Sequence, residues 1–232
     1  LHIKLLQFKN FDIFKQLQIE EAILRNNSSN ENYCIVNMGS KKSIVLGISS
    51  NAEKHIENSD KSIPIIRRFS GGGSVVVDEN TIFISFIISK KFLNFSYPEH
   101  IYFWLNNFYK KIFKINGFSL KENDFVIFNK KFGGNAQYIK KDKWLHHTSF
   151  LWDFKNSRMN LLKPPPKIPK YRKDRSHDEF LTKLKNHIST KEEFLKNFES
   201  ELLLHFKNLS KISLDDVLPI LEKDHRKSTK LL

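Results

Sequence analysis

The chain has 232 residues, 40% of them hydrophobic, with 8 Gly, 7 Pro and a net charge of +14. That is the length and apolar content of one ordinary globular domain, and it excludes a low-complexity chain. No apolar run is long enough to cross a membrane. Cys34 is the single cysteine, which excludes an internal disulfide and fits a reducing compartment. Half of the charge, +7, lies in 155–232. It is spread along the chain, whereas nucleic-acid binding calls for a clustered basic face. A basic surface suited to an anionic substrate or an acidic partner is the plainer reading. There is no signal-peptide pattern. The chain begins at Leu1, so an upstream leader stays open, and a cytoplasmic or organellar location is expected.

In chain order, apolar positions at Phe14, Leu17, Ala22, Ile23 and Leu24 predict an amphipathic helix over 11–26. Short runs at 33–36 and 43–46, separated by Gly39-Ser40-Lys41-Lys42, read as a hairpin. Ser50 with Glu53 suggests a capping box for a short helix. Strands are predicted over 63–68, 74–77 and 81–89, with a turn at Asp78-Glu79-Asn80. A long helix covers 97–116 and stops at Asn116-Gly117. Strands follow at 125–128, 135–140 and 144–154, with a Gly133-Gly134 loop before the second. Pro164-Pro165-Pro166 and Pro169 impose an extended segment. Helices then cover 179–187 and 191–208, with a last one from Ser213. Strands dominating to about residue 154 and helices afterwards favour α+β over a doubly wound parallel fold.

Four segments carry chemistry. Arg67-Arg68-Phe69-Ser70-Gly71-Gly72-Gly73 precedes an apolar run closed by Asp78. Glycines let a ligand approach the main chain, and arginine offers a fork of donors for phosphate or carboxylate. A glycine hairpin with solvated arginines is the bland alternative, and the flanking Arg-Arg, Ser and Asp argue against it. Asn123-Asp124 leads a strand into Lys130-Lys131-Phe132-Gly133-Gly134-Asn135-Ala136. Lys131, at the mouth of the glycines, can place a mobile positive charge on an anion; Lys130 reads as a turn lysine. His146 and His147 are adjacent on a strand, so at most one faces a site. With only Cys34 and His177 to add, no metal motif emerges. Ser149 lacks a Gly-x-Ser-x-Gly elbow. Tyr171–Asp178 reads as a charged loop entering a helix capped by Ser176 and Glu179.

These motifs, in this order, resemble the lipoate–protein ligase A family. RRFSGGGSVVVD is similar to the family's Arg-Arg-x-Ser-Gly-Gly-Gly signature. NDFVI followed by KKFGGNAQ resembles its Asn-Asp strand and Lys-x-x-Gly-x-Ala loop, and WLHHTSFLWDF its His-His strand. EAILRNNSSNENYCIVNMGSKKSIVLGIS and PKYRKDRSHDEFL are similar to a short, one-domain branch of plants and some bacteria. The resemblance spans about residues 10–190. It implies an α+β domain of mixed sheets and helices, related to biotin ligases, with 191–232 as a helical extension of the catalytic domain 1–190.

The resemblance also implies a two-step reaction. Lipoate and ATP, with Mg2+, form lipoyl-adenylate, which acylates a lysine of a lipoyl domain. The acceptors would be 2-oxoacid dehydrogenase complexes or the glycine cleavage H protein. On that template Arg68, Ser70 and the backbone of Gly71, Gly72 and Gly73 line the adenylate. Lys131 is the catalytic cation and Asp124, after Asn123, holds it or the adenine. Gly134, Asn135 and Ala136 form the opposing wall. His147, in preference to His146, borders the acyl pocket, with Val76 or Leu46 beside the tail. Two departures stand out. Val77 occupies the place where many members carry His, and little chain follows residue 190 for the accessory domain of larger ligases. A transferase using lipoyl-adenylate or octanoyl carrier protein, an activating partner subunit, and a non-catalytic basic binding module therefore remain alternatives. The octanoyltransferase route would need a catalytic cysteine, and Cys34 reads as a buried hydrophobe.

Overall fold

A computed structural model describes residues 1–26, 30–57, 62–165 and 168–232. The Pro166 end of the proline run lies outside the described residues. The elements run β1 (His2–Phe8), α1 (Ile13–Asn26), β2 (Asn32–Met38), β3 (Ser43–Leu46), α2 (Ala52–His55), β4 (Ile65–Arg67), β5 (Val75–Val77) and β6 (Thr81–Ser89). Then come α3 (Pro98–Phe113), β7 (Phe118–Lys121), β8 (Asp124–Ile127), β9 (Lys130–Ile139) and β10 (Lys143–Leu151). The rest is α4 (Asn156–Met159), α5 (His177–Phe180), α6 (Lys191–His205), β11 (Asn208–Ile212), α7 (Leu218–Leu221) and β12 (Lys230–Leu231). Two short 3-10 turns flank α5.

The strands form an eight-stranded sheet, β11-β1-β2-β6-β10-β9-β8-β7, and a four-stranded sheet, β12-β4-β3-β5. Both are mixed: β1 runs parallel to β2 and β11, and β3 parallel to β4, amid antiparallel pairs. Side chains alternate across a strand, and here alternation separates two environments. Ile82, Ile84, Phe86 and Ile88 of β6 join Trp144 and Phe150 of β10 in one apolar cluster. Onto it pack Leu105, Phe108, Tyr109 and Phe113 of α3 and Phe194 and Phe198 of α6. On the opposite face Ile87 and Leu145 meet Ile19 and Ile23 of α1, while Phe83 meets Ile13, Leu17, Val45 and Val77. The small sheet and α1 thus stand over the large sheet and leave a cleft between them.

The predicted hairpin of 33–36 and 43–46 does not form: β2 enters the large sheet and β3 the small one. The linker crosses between layers, with the Ser40 amide on the Asp78 carbonyl at 3.1 Å. The cap of α2 is Asn51, whose Oδ1 accepts from the Glu53 amide at 2.9 Å, so Ser50 does not cap. Gly133-Gly134 is strand, within β9. The helix predicted over 179–187 breaks after Phe180. Leu181 bridges in parallel to Lys131, and the Thr182 amide donates to the Lys131 carbonyl at 2.9 Å. The predicted helix from Ser213 shrinks to α7, which carries Pro219 in its first turn. β1, β7, β11 and β12 were not predicted, and two of them lie beyond residue 190. The Asp78 turn holds, with the Asn80 amide on Asp78 Oδ1 at 2.8 Å.

Candidate active site

A cleft of about 640 Å³ opens between α1, the small sheet and the β8–β10 end of the large sheet. One part of its lining is apolar, where Ile13, Leu17, Val45, Val77 and Phe83 pack together. Another part carries Lys131, Lys163, Arg172 and His177. The glycine loop borders the same cleft at Gly72 and Gly73, with Gly72 beside Asn135 and Ala136 of β9.

A bulge sets the central pair. Phe125 of β8 faces Gly133 of β9, yet Val126, the next residue, faces Lys131, so Phe132 is an extra residue in β9. Bulges re-aim side chains. Phe132 turns into the aromatic core and Gly133 follows it: a Cβ there would stand 2.9 Å from the Phe150 ring. Lys131 thereby shares the cleft face with Asp124, and its Nζ lies 2.9 Å from Asp124 Oδ1. The second carboxylate oxygen accepts from the Tyr171 hydroxyl at 2.8 Å. Burial and the Asp124 charge push that phenol well above its ordinary value. Lys131 keeps partial exposure toward the cleft while Asp124 is buried.

The glycine loop is folded around an arginine. Arg68 Nη2 donates to the carbonyls of Gly71 at 2.6 Å and Gly73 at 2.8 Å, and Nε to Ser70 Oγ at 3.0 Å. Gly72 has φ +95°, and a Cβ on it would stand 2.9 Å from that guanidinium. Both facts require glycine there. Arg67 leads the other way, with Nη2 donating to the Ser50 carbonyl at 3.3 Å.

Most residues the sequence singled out come together here. Arg68, Gly72, Gly73, Val76, Asn123, Asp124, Lys131, Gly134, Asn135, Ala136 and His147 all line the cleft. Ser70, which is buried, and Gly71, which is part-exposed, are not in the lining; both bond to Arg68. Leu46 is not in the lining; it is buried behind Val76, in one apolar cluster with Ile56 and Ile63. Asn135 Nδ2 donates to the Asn123 carbonyl at 2.9 Å and ties the strand leading into the site to its far wall. Opposite faces for the two histidines are found. His147 borders the cleft, with Nε2 2.9 Å from Ser70 Oγ and Nδ1 2.9 Å from Glu20 Oε2. His146 is buried against the Tyr102 ring, and burial holds its imidazole well below the ordinary value. Cys34 is buried in the aromatic cluster, where burial pushes its thiol up, and it does not border the cleft.

Sequence reasoning missed two groups. Gln16 and Glu20 are polar residues one helical turn apart on the buried face of α1, and that break in an apolar stripe was the available signal. The segment 171–181, read as a charged loop, closes the cationic part of the cleft. Arg172 is buried under the Phe180 ring, with its charge 4.9 Å from the ring centre, and burial lowers its pKa. Burial also lowers that of His177. The capping box of α5 forms as the sequence indicated, with Ser176 N donating to Glu179 Oε2 at 2.9 Å. Among the described residues no cluster of three or more His, Cys, Asp or Glu could hold a metal ion, and no helix is long and apolar enough to cross a membrane.

Fold and cleft together define an α+β domain of mixed sheets whose cleft holds a lysine–aspartate pair and a glycine-rich loop. The chain belongs to the lipoyl protein ligase A/B catalytic domain family, whose sequence model matches residues 12–207. It is 30% identical over 262 residues to a Plasmodium falciparum (isolate 3D7) protein described as inactive lipoate–protein ligase 2, covering 86% of this chain and 67% of that one. Among solved structures, lipoate–protein ligase A bound with ATP superposes with a TM-score of 0.76 at 17% identity, over 95% of this chain and 92% of that one. A bi-partite lipoate protein ligase of Thermoplasma acidophilum, described with its E2 lipoyl domain, gives 0.77 at 18% identity, over 95% and 91%. At these identities the likeness is one of fold. The chain spans about two thirds or less of the length of the curated relatives it matches.

Proposed function

We propose that this chain is a lipoate–protein ligase catalytic domain that activates lipoate with ATP and transfers the lipoyl group to a lysine of a lipoyl domain. The observation that carries the reading is the Lys131–Asp124 pair, at 2.9 Å, set by the β9 bulge in the cleft that the glycine loop also lines. The apolar part of the lining suits an acyl tail and the cationic part a nucleotide phosphate. In the first step a lipoate carboxylate oxygen attacks the α-phosphorus and pyrophosphate leaves. In the second the neutral ε-amine of the acceptor attacks the acyl carbonyl, AMP leaves and the amine loses a proton. Both steps build negative charge on oxygens, and Lys131 Nζ is the cation placed to stabilise it. Asp124 and Tyr171 fix where that ammonium points. Mg2+ would arrive on the triphosphate, as it does where a protein offers few carboxylates. Ser70 acts through Arg68 in this scheme, and the acceptor is the lipoyl domain of a 2-oxoacid dehydrogenase complex or the glycine cleavage H protein. No membrane or nucleic acid takes part, and 191–232 completes the domain 1–190.

The structural neighbour that is bi-partite supports a second reading, in which the chain accepts an acyl-adenylate made with the help of a partner subunit. One experiment separates the two. An apo lipoyl domain is incubated with the protein and either lipoate plus MgATP or synthetic lipoyl-adenylate, and the acceptor is weighed by mass spectrometry. Modification with MgATP establishes a complete ligase. Modification with the adenylate alone leaves a transferase. No modification in either arm sinks both readings, and an octanoyl carrier protein donor would be tried next.

A further inference from the structure

The floor of the cleft holds a carboxylate that the proposed chemistry does not use. Glu20 is 1% exposed. Ser85 Oγ at 2.6 Å and Gln16 Nε2 at 2.9 Å donate to its Oε1, and His147 Nδ1 at 2.9 Å donates to Oε2. A carboxylate only accepts, so Nδ1 carries a proton, and in the neutral imidazole Nε2 then presents a lone pair. Ser70 Oγ, 2.9 Å away, donates to that Nε2 and itself accepts from Arg68 Nε at 3.0 Å. Arg68 in turn donates to the Gly71 and Gly73 carbonyls at 2.6 and 2.8 Å. Every bond runs one way, from a buried cation to a buried anion. Burial pulls the Arg68 guanidinium down to about 10, and the Glu20 charge opposes that pull.

Serine, histidine and glutamate in this connection could also make a hydrolytic nucleophile. The geometry decides against it. Ser70 is 0% exposed, does not border the cleft, and already uses its hydroxyl as both donor and acceptor.

We infer that Glu20 is a positioning residue that acts through His147 and Ser70 on Arg68, and so holds the glycine loop in the shape that meets the ligand. The inference rests on the cleft being an acyl-adenylate site. Hydrogen bonds in a low-dielectric chain reinforce one another, and a buried arginine is costly without a compensating anion. An amide cannot replace this carboxylate: it has one acceptor oxygen, so either His147 or the Ser85–Gln16 side would face an N–H.

The test measures binding of lipoyl-sulfamoyl-adenosine, a non-hydrolysable adenylate mimic, by calorimetry to wild type, Glu20→Gln, His147→Gln and the double variant. Nitrogen NMR of the imidazole is recorded in parallel. Each single change is expected to weaken binding about tenfold, and the double no further, because both break one chain. The wild-type His147 spectrum is expected to show the Nδ1–H tautomer, shifting toward Nε2–H in Glu20→Gln. Losses that multiply in the double variant, or wild-type affinity in Glu20→Gln, overturn the inference. Should Glu20→Gln fail to fold, Ser70→Ala with His147→Gln gives the same cycle. If wild type does not bind the mimic, the functional reading fails instead. The tautomer then decides the relay alone: Nε2–H in wild type overturns it.

Discussion

Ile84, Phe86 and Phe150 on one face of the large sheet pack with α3 and α6 in a dry aromatic layer, whereas Ser85, His147 and Ser149, alternate residues of the same strands, face the cleft. A single strand therefore supplies stability from one side and chemistry from the other, because its side chains change face at every residue. The difference teaches where each kind of damage should appear. Changes on the aromatic face should alter unfolding and spare transfer per folded molecule. Changes on the cleft face should do the reverse.

The largest effect is expected on the cleft face. Lys131→Ala should reduce acceptor modification by about a thousandfold or more, with a melting curve close to wild type. Wild-type transfer in that variant would remove Lys131 from its role. Gly133→Ala probes the other face: the new Cβ would meet Phe150 at 2.9 Å and Phe125 at 3.1 Å, for an overpacking cost of about 2 kcal/mol in denaturant unfolding. If that variant lost transfer while its stability held, the separation of faces would be broken. Tyr171→Phe removes one hydrogen bond from the Asp124 carboxylate and should slow transfer about tenfold without unfolding. An unchanged rate would show that Asp124 needs no second partner.

His146 is a titratable residue on the aromatic face, beside Thr148 at 3.2 Å, and it makes a pH test. In the unfolded chain it gains its proton near pH 6.5, and in the fold burial holds it neutral to much lower pH. The unfolded state thus binds more protons below that value. Stability is complete above about pH 6.5 and should fall as the pH drops, by roughly 1 kcal/mol over the first unit. His187 and His177, also lowered by burial, act in the same direction. His146→Gln should therefore flatten the slope in part; an unaltered slope would contradict the argument. The smallest effect belongs to Cys34→Ser, which should leave the transfer rate where it was. A complete loss without unfolding would revive a thioester route.

Much of the site could be read from the residues, because Arg68, Gly72, Gly73, Asp124, Lys131 and His147 belong to local motifs. The alternation of His146 and His147 was legible for the same reason. What stayed hidden depended on distant partners. The β9 bulge lies in a strand register, not in the run KKFGG, which reads equally well as a loop. Glu20 is no more than a polar break in the apolar stripe of α1 until Ser85 and His147 are brought to it from far along the chain. Tyr171 looks like one more residue of a charged loop until the segment folds down on β8. β1 escaped because Leu5 and Leu6 are both buried, one on each face, so its pattern does not alternate.

The edge of the large sheet has a consequence for the order of events during synthesis. β1 leaves the ribosome well ahead of its outer partner β11, which pairs His2 with Asn208 and Leu6 with Ile212. Until some two hundred further residues have been translated, that edge presents open amides and carbonyls, the template on which chains aggregate. Contacts of such long range are also slow to form. A nascent chain stalled before β11 would then be the species most in need of a chaperone.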